Sequence, residues 1–269
     1  MTPIKAQNKE HLRAIVRGHI NQYGNEVNMN HVDVSSIHDF SKLFHDSDFN
    51  GDISGWDVSR GVIFNQMFMN SKFQGNISNW DVSQAAQMGS MFADSIFNGD
   101  ISRWNVSNVH NMNAMFCGAA FDGDISKWNT QSLRTATYMF ASSPFQGDVS
   151  SWNVESLREA NSMFHACDID SANMFSHWNF SEDVSVFRFL GDLLESSTLI
   201  KLGQLRESPL MFALYAMLPS DKRPAAYQHL FTMVEQLCNE QPPMKQGYIL
   251  YHLYSNQLPE MSASDFHFD

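Results

Sequence analysis

The chain has 269 residues, 43% of them apolar and 17% charged, the balance of a globular protein able to bury a real core. Seventeen Lys and Arg against 29 Asp and Glu leave a net charge of −12, a field that repels nucleic acid and anionic lipid and suits either solubility or a basic protein partner. No apolar stretch approaches the roughly 18 residues of a membrane span, no basic segment followed by an apolar run stands near Met1, and Cys117, Cys167 and Cys238 lack metal-site or disulfide spacing. The expectation is a chain without membrane insertion, either cytoplasmic or secreted without a classical signal peptide.

Residues 8 to 23 place Leu12, Ile15, Val16 and Ile20 on one face at helical spacing, with Gly24 positioned to stop the turn. Residues 1–29 are therefore predicted to be an N-terminal capping helix. They carry four basic and two acidic residues, whereas 30–180 carry seven basic and sixteen acidic ones, so the repeated part is the acidic part.

From residue 30 to 180 the chain repeats itself. Trp56, Trp80, Trp104, Trp128 and Trp152 recur at one constant step, and Gly51, Gly75, Gly99, Gly123 and Gly147 keep the same step. The pairs Met67-Phe68, Met91-Phe92, Met115-Phe116, Met139-Phe140 and Met163-Phe164 follow at a fixed offset. A constant period of this size marks a solenoid. The expected fold is a leucine-rich-repeat-like solenoid of about six 24-residue coils, stacked about 4.8 Å apart into a rod of roughly 30 Å. Ile37, Val109, Leu133 and Leu157 form one ladder, thinned by Gly61 and Ala85, and Phe40, Phe64, Met88, Met112, Ala136 and Ala160 form another three residues on. That spacing of three predicts a tight or short helical turn. The Asp-Ile-Ser-x-Trp stretch, with Ile53, Ile77, Ile101, Ile125 and Val149 pointing inward, is the predicted short parallel strand, and the glycine before it is predicted to occupy a positive-φ turn.

Between the ladders lie the positions that change from coil to coil: His38-Asp39, Val62-Ile63, Ala86-Gln87, His110-Asn111, Arg134-Thr135 and Arg158-Glu159. Changing outward residues on a constant frame are how repeat proteins build recognition surfaces. The adjacent apolar pair Val62-Ile63 is expected to be exposed and to anchor a contact. A second local pattern, Asp46, Asp48, Asn50, Gly51, Asp52 and Asp57, has the order of an EF-hand-type calcium loop, with oxygens at positions one, three and five, glycine at six and a carboxylate at twelve. The same residues also read as a degenerate copy of the repeat. His165 and Cys167 share a turn without a third residue to orient them.

After Ser176 the period breaks, since Trp178 arrives two positions later than the repeat requires, with no Gly-Asp-Ile-Ser before it. Residues 181–269 shift to helical spacing: Phe187, Leu190, Leu193 and Leu194; Leu199, Leu202 and Leu205; Ser208-Pro209 at a helix start; and the stripe Tyr227, Leu230, Phe231, Val234, Leu237 and Cys238. This predicts an α-helical C-terminal region that caps the last coil or forms a small domain.

The run Val106-Ser-Asn-Val-x-x-Met-x-x-Met-Phe116, followed by Phe121-x-Gly-Asp-Ile-Ser-x-Trp128, resembles the BspA-like family of bacterial leucine-rich-repeat surface proteins over residues 30 to 180. The resemblance implies a bacterial solenoid that binds other proteins, often at a cell surface.

No Walker loop, Gly-x-Gly-x-x-Gly, His-Glu-x-x-His or Gly-x-Ser-x-Gly occurs, and no catalytic residue is assigned. The preferred expectation is a non-enzymatic interaction module, an acidic solenoid meeting a protein partner in an intracellular setting such as immunity, anti-defence or delivery as an effector. Two alternatives stand beside it. One is an adhesive surface protein exported by a non-classical route; the other is an effector enzyme with its chemistry in residues 181–269.

Overall fold

The computed structural model describes residues 2–167. The expected helices beyond Phe187, the break at Trp178 and the role of 181–269 lie outside the described residues.

Strand β1 (Ile4–Lys5) opens the chain, followed by helix α1 (Lys9–Tyr23) and strand β2 (Val32–Asp33). Helix α1 starts where the Asn8 side chain accepts the His11 N–H at 2.9 Å. It ends where Gly24, at φ 84°, returns its own N–H to Ile20 O. Leu12 and Val16 are buried in the core and Ile15 and Ile20 pack against it, so the helix covers one end of the apolar interior along its expected face. Sequence periodicity missed β1, which is too short to show alternation. It pairs in parallel with β2, Ile4 opposite Val32 and Lys5 opposite Asp33, and puts Ala6 fully inside.

Beyond β2 the backbone is a ladder with the period of the sequence. Single-residue parallel bridges link Asp39 to Ile63, Ile63 to Gln87, Gln87 to Asn111, Asn111 to Thr135 and Thr135 to Glu159. Just after each bridge the chain makes tight turns, closed for example by Leu43 N–H to Phe40 O and Met67 N–H to Phe64 O. Their third residues sit in the left-handed region: Lys42, Gln66, Ser90, Ala114, Tyr138 and Ser162, and four positions later Asp46, Asn70, Asp94, Ser142 and Ala166, all at φ 51–60°, with Gly118 at 63°. A turn of this kind rotates its central peptide out of the plane of the turn. Here that rotation points the peptide along the stack. Phe40, Lys42, Phe44 and Asp46 each donate N–H to a carbonyl of the next repeat, at Ile63, Asn65, Met67 and Met69, with distances of 2.8–3.0 Å. The same four bonds recur in the following segments as far as Ala136, Tyr138, Phe140 and Ser142. Placing a non-glycine residue there costs about 1–3 kcal/mol, and these bonds offset it.

Two expectations are corrected here. The bridges fall between the two apolar ladders, in the segment expected to be a turn. The Asp-Ile-Ser-x-Trp stretch, expected to be a strand, is itself a turn closed by Trp56 N–H to Ile53 O, and likewise at Trp80, Trp104, Trp128 and Trp152. The side chains explain why: Asp52, Asn76, Asp100, Asp124 and Asp148 each accept the backbone N–H two positions on, which bends the chain locally. Cohesion on this side comes from the tryptophans. Each indole N–H donates to a backbone carbonyl of the preceding repeat, Trp56 to Met29 and Trp80, Trp104, Trp128 and Trp152 to Ile53, Ile77, Ile101 and Ile125, at 2.9–3.3 Å.

The second correction concerns the glycines. Gly51, Gly75, Gly99, Gly123 and Gly147 are not among the positive-φ residues. What they lack room for is a side chain, since a Cβ at Gly75, Gly99, Gly123 or Gly147 would lie 2.6–2.8 Å from the ring of the Phe two positions before.

The interior is aromatic. Phe44, Phe68, Phe92, Phe116, Phe140 and Phe164 form a column with centroids 5.3–5.7 Å apart. A second column, Phe49, Phe73, Phe97, Phe121 and Phe145, nestles against it at 4.1–4.5 Å. At four levels of the two thinner ladders a small residue in one stands with a large one in the other. Gly61 faces Phe64 so closely that a Cβ would meet the ring at 2.4 Å, and the order reverses at Leu133 with Ala136 and Leu157 with Ala160, all buried.

Candidate interaction face

Because Phe40 and its equivalents point inward, the residue on either side of each points out. Asp39, Ile63, Gln87, Asn111, Thr135 and Glu159 therefore stand in one line, joined by the parallel bridges. Beside them run His38, Val62, His110, Arg134 and Arg158, whose backbone belongs to the same ladder: His38 O accepts from Val62 and Ile63, and His110 O from Arg134 and Thr135. The structure thus brings all of these candidate surface residues onto one face.

Their chemistry varies along the line. At the N-terminal end Asp39 is committed to α1, 2.9 Å from Lys9 Nζ, which also contacts Ser41 Oγ. Partial burial works against the Asp39 carboxylate, yet the bonds from Lys9 and Ser41 hold it below its ordinary value. In the middle, Asn111 Nδ2 donates to Gln87 Oε1 at 3.1 Å and Asn111 Oδ1 accepts the Asn113 N–H. Below this row, Asn65 Oδ1 accepts the Gly89 N–H and Asn113 Oδ1 the Thr137 N–H, cross-segment bonds that sequence reasoning missed although the column Ser41, Asn65, Gly89, Asn113, Thr137, Asn161 keeps the same step. His110 Nδ1 is buried with no hydrogen-bond partner. At the far end Arg158 Nη1 donates to the carbonyls of Glu155 and Leu157.

Val62 and Ile63 are half-buried, not exposed as expected, because the equivalent residues of the repeats before and after shelter them. Among the described residues, the exposed large apolar side chains beyond α1 are instead Ile96 at 44% and Tyr138 at 48%. Both sit in columns otherwise filled by small or polar residues, and reading those columns would have found them.

Further carboxylates stand away from the bridge row, in the turns of the Asp-x-Ser motifs. The carboxylates of Asp81 and Asp33 are held below the usual range first by the hydroxyls of Ser83 and Ser35. Those of Asp52, Asp100 and Asp124 are held low first by the backbone N–H groups of Ser54, Ser102 and Ser126.

The calcium pattern is not assembled. Asp46 pairs with His45 and with Asn70 of the next segment, and Asp48 with Lys72 at 2.7 Å. Asn50 Oδ1 accepts the Gln74 N–H, Asp52 binds Ser54, Asn28 and Asn30, and Asp57 accepts the Ser59 N–H. Among the described residues no three His, Cys, Asp or Glu side chains converge on a metal position. The oxygens are spread along a segment held open by its neighbours, whereas a calcium loop must wrap them around one point. The His165 and Cys167 side chains are also apart in role: His165 is exposed, while Cys167 is buried and donates to Phe145 O at 3.1 Å. Its position is that of Ser71, Ser95 and Ser143.

Such a stack, with its interior filled by side chains and its variable residues aligned outside, is a repeat protein. The family described as Mycoplasma protein of unknown function, DUF285, matches residues 16–120 and 94–193, more than half of the chain, which belongs to that family. No curated protein and no solved structure matches the chain. Among the described residues no helix is long and apolar enough to cross a membrane.

Proposed function

We propose that the chain is a leucine-rich-repeat-like solenoid, akin to the BspA-like proteins, that works as a non-enzymatic protein-binding module. One observation supports this reading above the others: Asp39, Ile63, Gln87, Asn111, Thr135 and Glu159 occupy equivalent ladder positions yet differ in charge, shape and polarity, while the apolar residue that follows each is buried. A frame that repeats needs no such variation for its own stability. The acidic edge at Asp52, Asp81, Asp100 and Asp124 complements this face by steering a basic protein partner, an effect of rate more than of affinity.

Capture of partners by the full chain from lysates of the native organism and its host, at low and moderate salt, tests the reading. Substitutions Ile63→Asp and Thr135→Arg should abolish a stoichiometric capture that Asp81→Asn and Asp100→Asn only slow. Capture indifferent to both face substitutions would exclude this face.

A further inference from the structure

One column runs Asn50, Gln74, Asn98, Asp122 and Gln146, each directly before one of the repeated glycines. Its side chains serve as axial acceptors: Asn50 Oδ1 takes the Gln74 N–H at 2.8 Å, Asn98 Oδ1 the Asp122 N–H at 2.9 Å and Asp122 Oδ1 the Gln146 N–H at 2.9 Å. Amide and carboxylate thus do the same work at this position. Two members, Asn50 and Asn98, form Asn-Gly pairs, in which the glycine nitrogen can approach the carboxamide carbon with no side chain of its own in the way.

At Asn98 the surroundings favour that approach. Its side chain is exposed, and neither its Nδ2 nor the Gly99 N–H makes a hydrogen bond among the described residues, so the leaving group and the attacking nitrogen are both uncommitted. The Asp122 N–H stands 2.9 Å from the oxygen on which negative charge develops when Cγ is attacked, which is the place of an oxyanion donor. Asn50 has an equivalent donor but differs in access. It is half-buried, and Gly51 after it is buried, with the Val27 carbonyl against the place a Cβ would take.

We infer that Asn98 is a site of self-modification, at which the Gly99 nitrogen attacks Asn98 Cγ and the chain loses ammonia. The new N–Cγ bond forms as the Cγ–Nδ2 bond breaks, and the Gly99 proton passes through water to the departing nitrogen. Water then opens the resulting five-membered imide: opening at Cγ gives aspartate, and opening at the Asn98 main-chain carbonyl gives isoaspartate. One water is consumed and one ammonia released, with no oxidant or reductant.

The frame selects between the two products. Asp122 shows that aspartate fits the column and keeps the axial bond. Isoaspartate would lengthen the main chain by a methylene between Phe97, locked between Phe73 and Phe92, and Gly99, whose Cβ position lies 2.8 Å from the Phe97 ring. The folded chain should therefore yield aspartate in excess, where a free peptide yields mainly isoaspartate. The chain gains a negative charge with age, between Asp122 and Asp100, at residues separate from the bridge row and from the function proposed for it.

Incubation of the full chain at neutral and mildly alkaline pH, read by peptide mass spectrometry, ion exchange and enzymatic methylation of isoaspartate, tests the assignment. Asn98→Gln takes the residue found at 74 and 146, and Asn98→Asp the residue found at 122, so both should fold. The first should block the reaction and the second co-elute with the aged parent. Asn98 is expected to convert at least about tenfold faster than Asn50, the ratio set by ~1.4 kcal/mol in barrier, and with a higher ratio of aspartate to isoaspartate than the same chain unfolded in urea. Conversion of Asn98 no faster than that of Asn50, conversion only in urea, or a product ratio equal to that in urea would overturn the inference.

Discussion

Trp104 donates its indole N–H to the carbonyl of Ile77 in the preceding repeat at 3.1 Å, and both residues are buried. The tryptophan therefore does two things at once: it fills the interior and supplies a cross-segment hydrogen bond where the turns of the Asp-x-Ser motifs bend the backbone. Trp104→Phe keeps most of the apolar contact, leaves Ile77 O unsatisfied in the interior and opens a small void. The expected loss is ~2–4 kcal/mol by urea denaturation. A loss below about 0.5 kcal/mol would show that the hydrogen bond carries no net stability.

The same substitution should have opposite signs at two glycines. At Gly99 an added Cβ would meet the Phe97 ring at 2.8 Å, and that ring is locked between Phe73 and Phe92. Gly99→Ala is expected to cost ~1–3 kcal/mol as overpacking. Gly18 lies inside α1 with nothing within 4 Å of its Cβ position. Gly18→Ala should stabilise the chain by ~0.5–1 kcal/mol through helix propensity. Thermal melts of the two variants side by side decide the matter, and equal shifts would sink the packing explanation.

Leu133 and Ala136 share a fixed amount of interior space. Leu133→Ala should cost ~2–5 kcal/mol. Adding Ala136→Met recreates the arrangement of Ala85 with Met88, the equivalent buried pair of an earlier repeat, and should return a substantial part of that loss. If the double variant is no more stable than the sum of two independent changes, the two columns do not exchange volume.

Acid should loosen the turn edge. The ordinary aspartate value is 3.8, and Asp81 is held below it, first by the Ser83 hydroxyl and then by the Ser83 N–H. A lowered folded value means that the stabilisation is complete above the unfolded value near 3.8 and disappears as pH falls through the lower folded value. Asn105, Asn129 and Asn153 perform the same capping in later segments, each accepting the N–H two positions on, without a titrating proton. Asp81→Asn should accordingly leave stability near neutral pH almost unchanged and improve it relative to the parent below about pH 4. Parallel acid-unfolding curves would contradict this.

Some of this is legible without coordinates. The helix at Lys9–Tyr23 follows from the spacing of its apolar face and from Gly24, and the buried ladders follow from the period, because burial is what a constant apolar position is for. The turn edge misleads because Asp-Ile-Ser-x-Trp combines a β-branched residue with an aromatic one, the usual composition of a strand. Asp and Ser bonding locally to the backbone decide the outcome instead. The left-handed residues are hidden more deeply. Nothing in Lys42, Gln66 or Tyr138 announces a positive φ, since that conformation is imposed by hydrogen bonds from the next segment and not by local preference. On the candidate face the alignment of the changing residues is readable, whereas their exposure depends on neighbours one repeat away.

The axial bonds run forward into the next repeat, the bridges join identical positions of neighbouring repeats, and the tryptophan bonds run back into the repeat before. Each offset refers only to position within the repeat, so the molecule reads the same after a shift of one unit. Its length is thereby quantised. Removal or duplication of one whole unit in the middle hands every donor an equivalent acceptor, while a change by a single amino acid more or fewer puts the repeat that carries it out of step with its two neighbours. Insertions and deletions between relatives should therefore arrive as whole units, and the count of units becomes a dial by which the same frame can present a longer or shorter row of side chains.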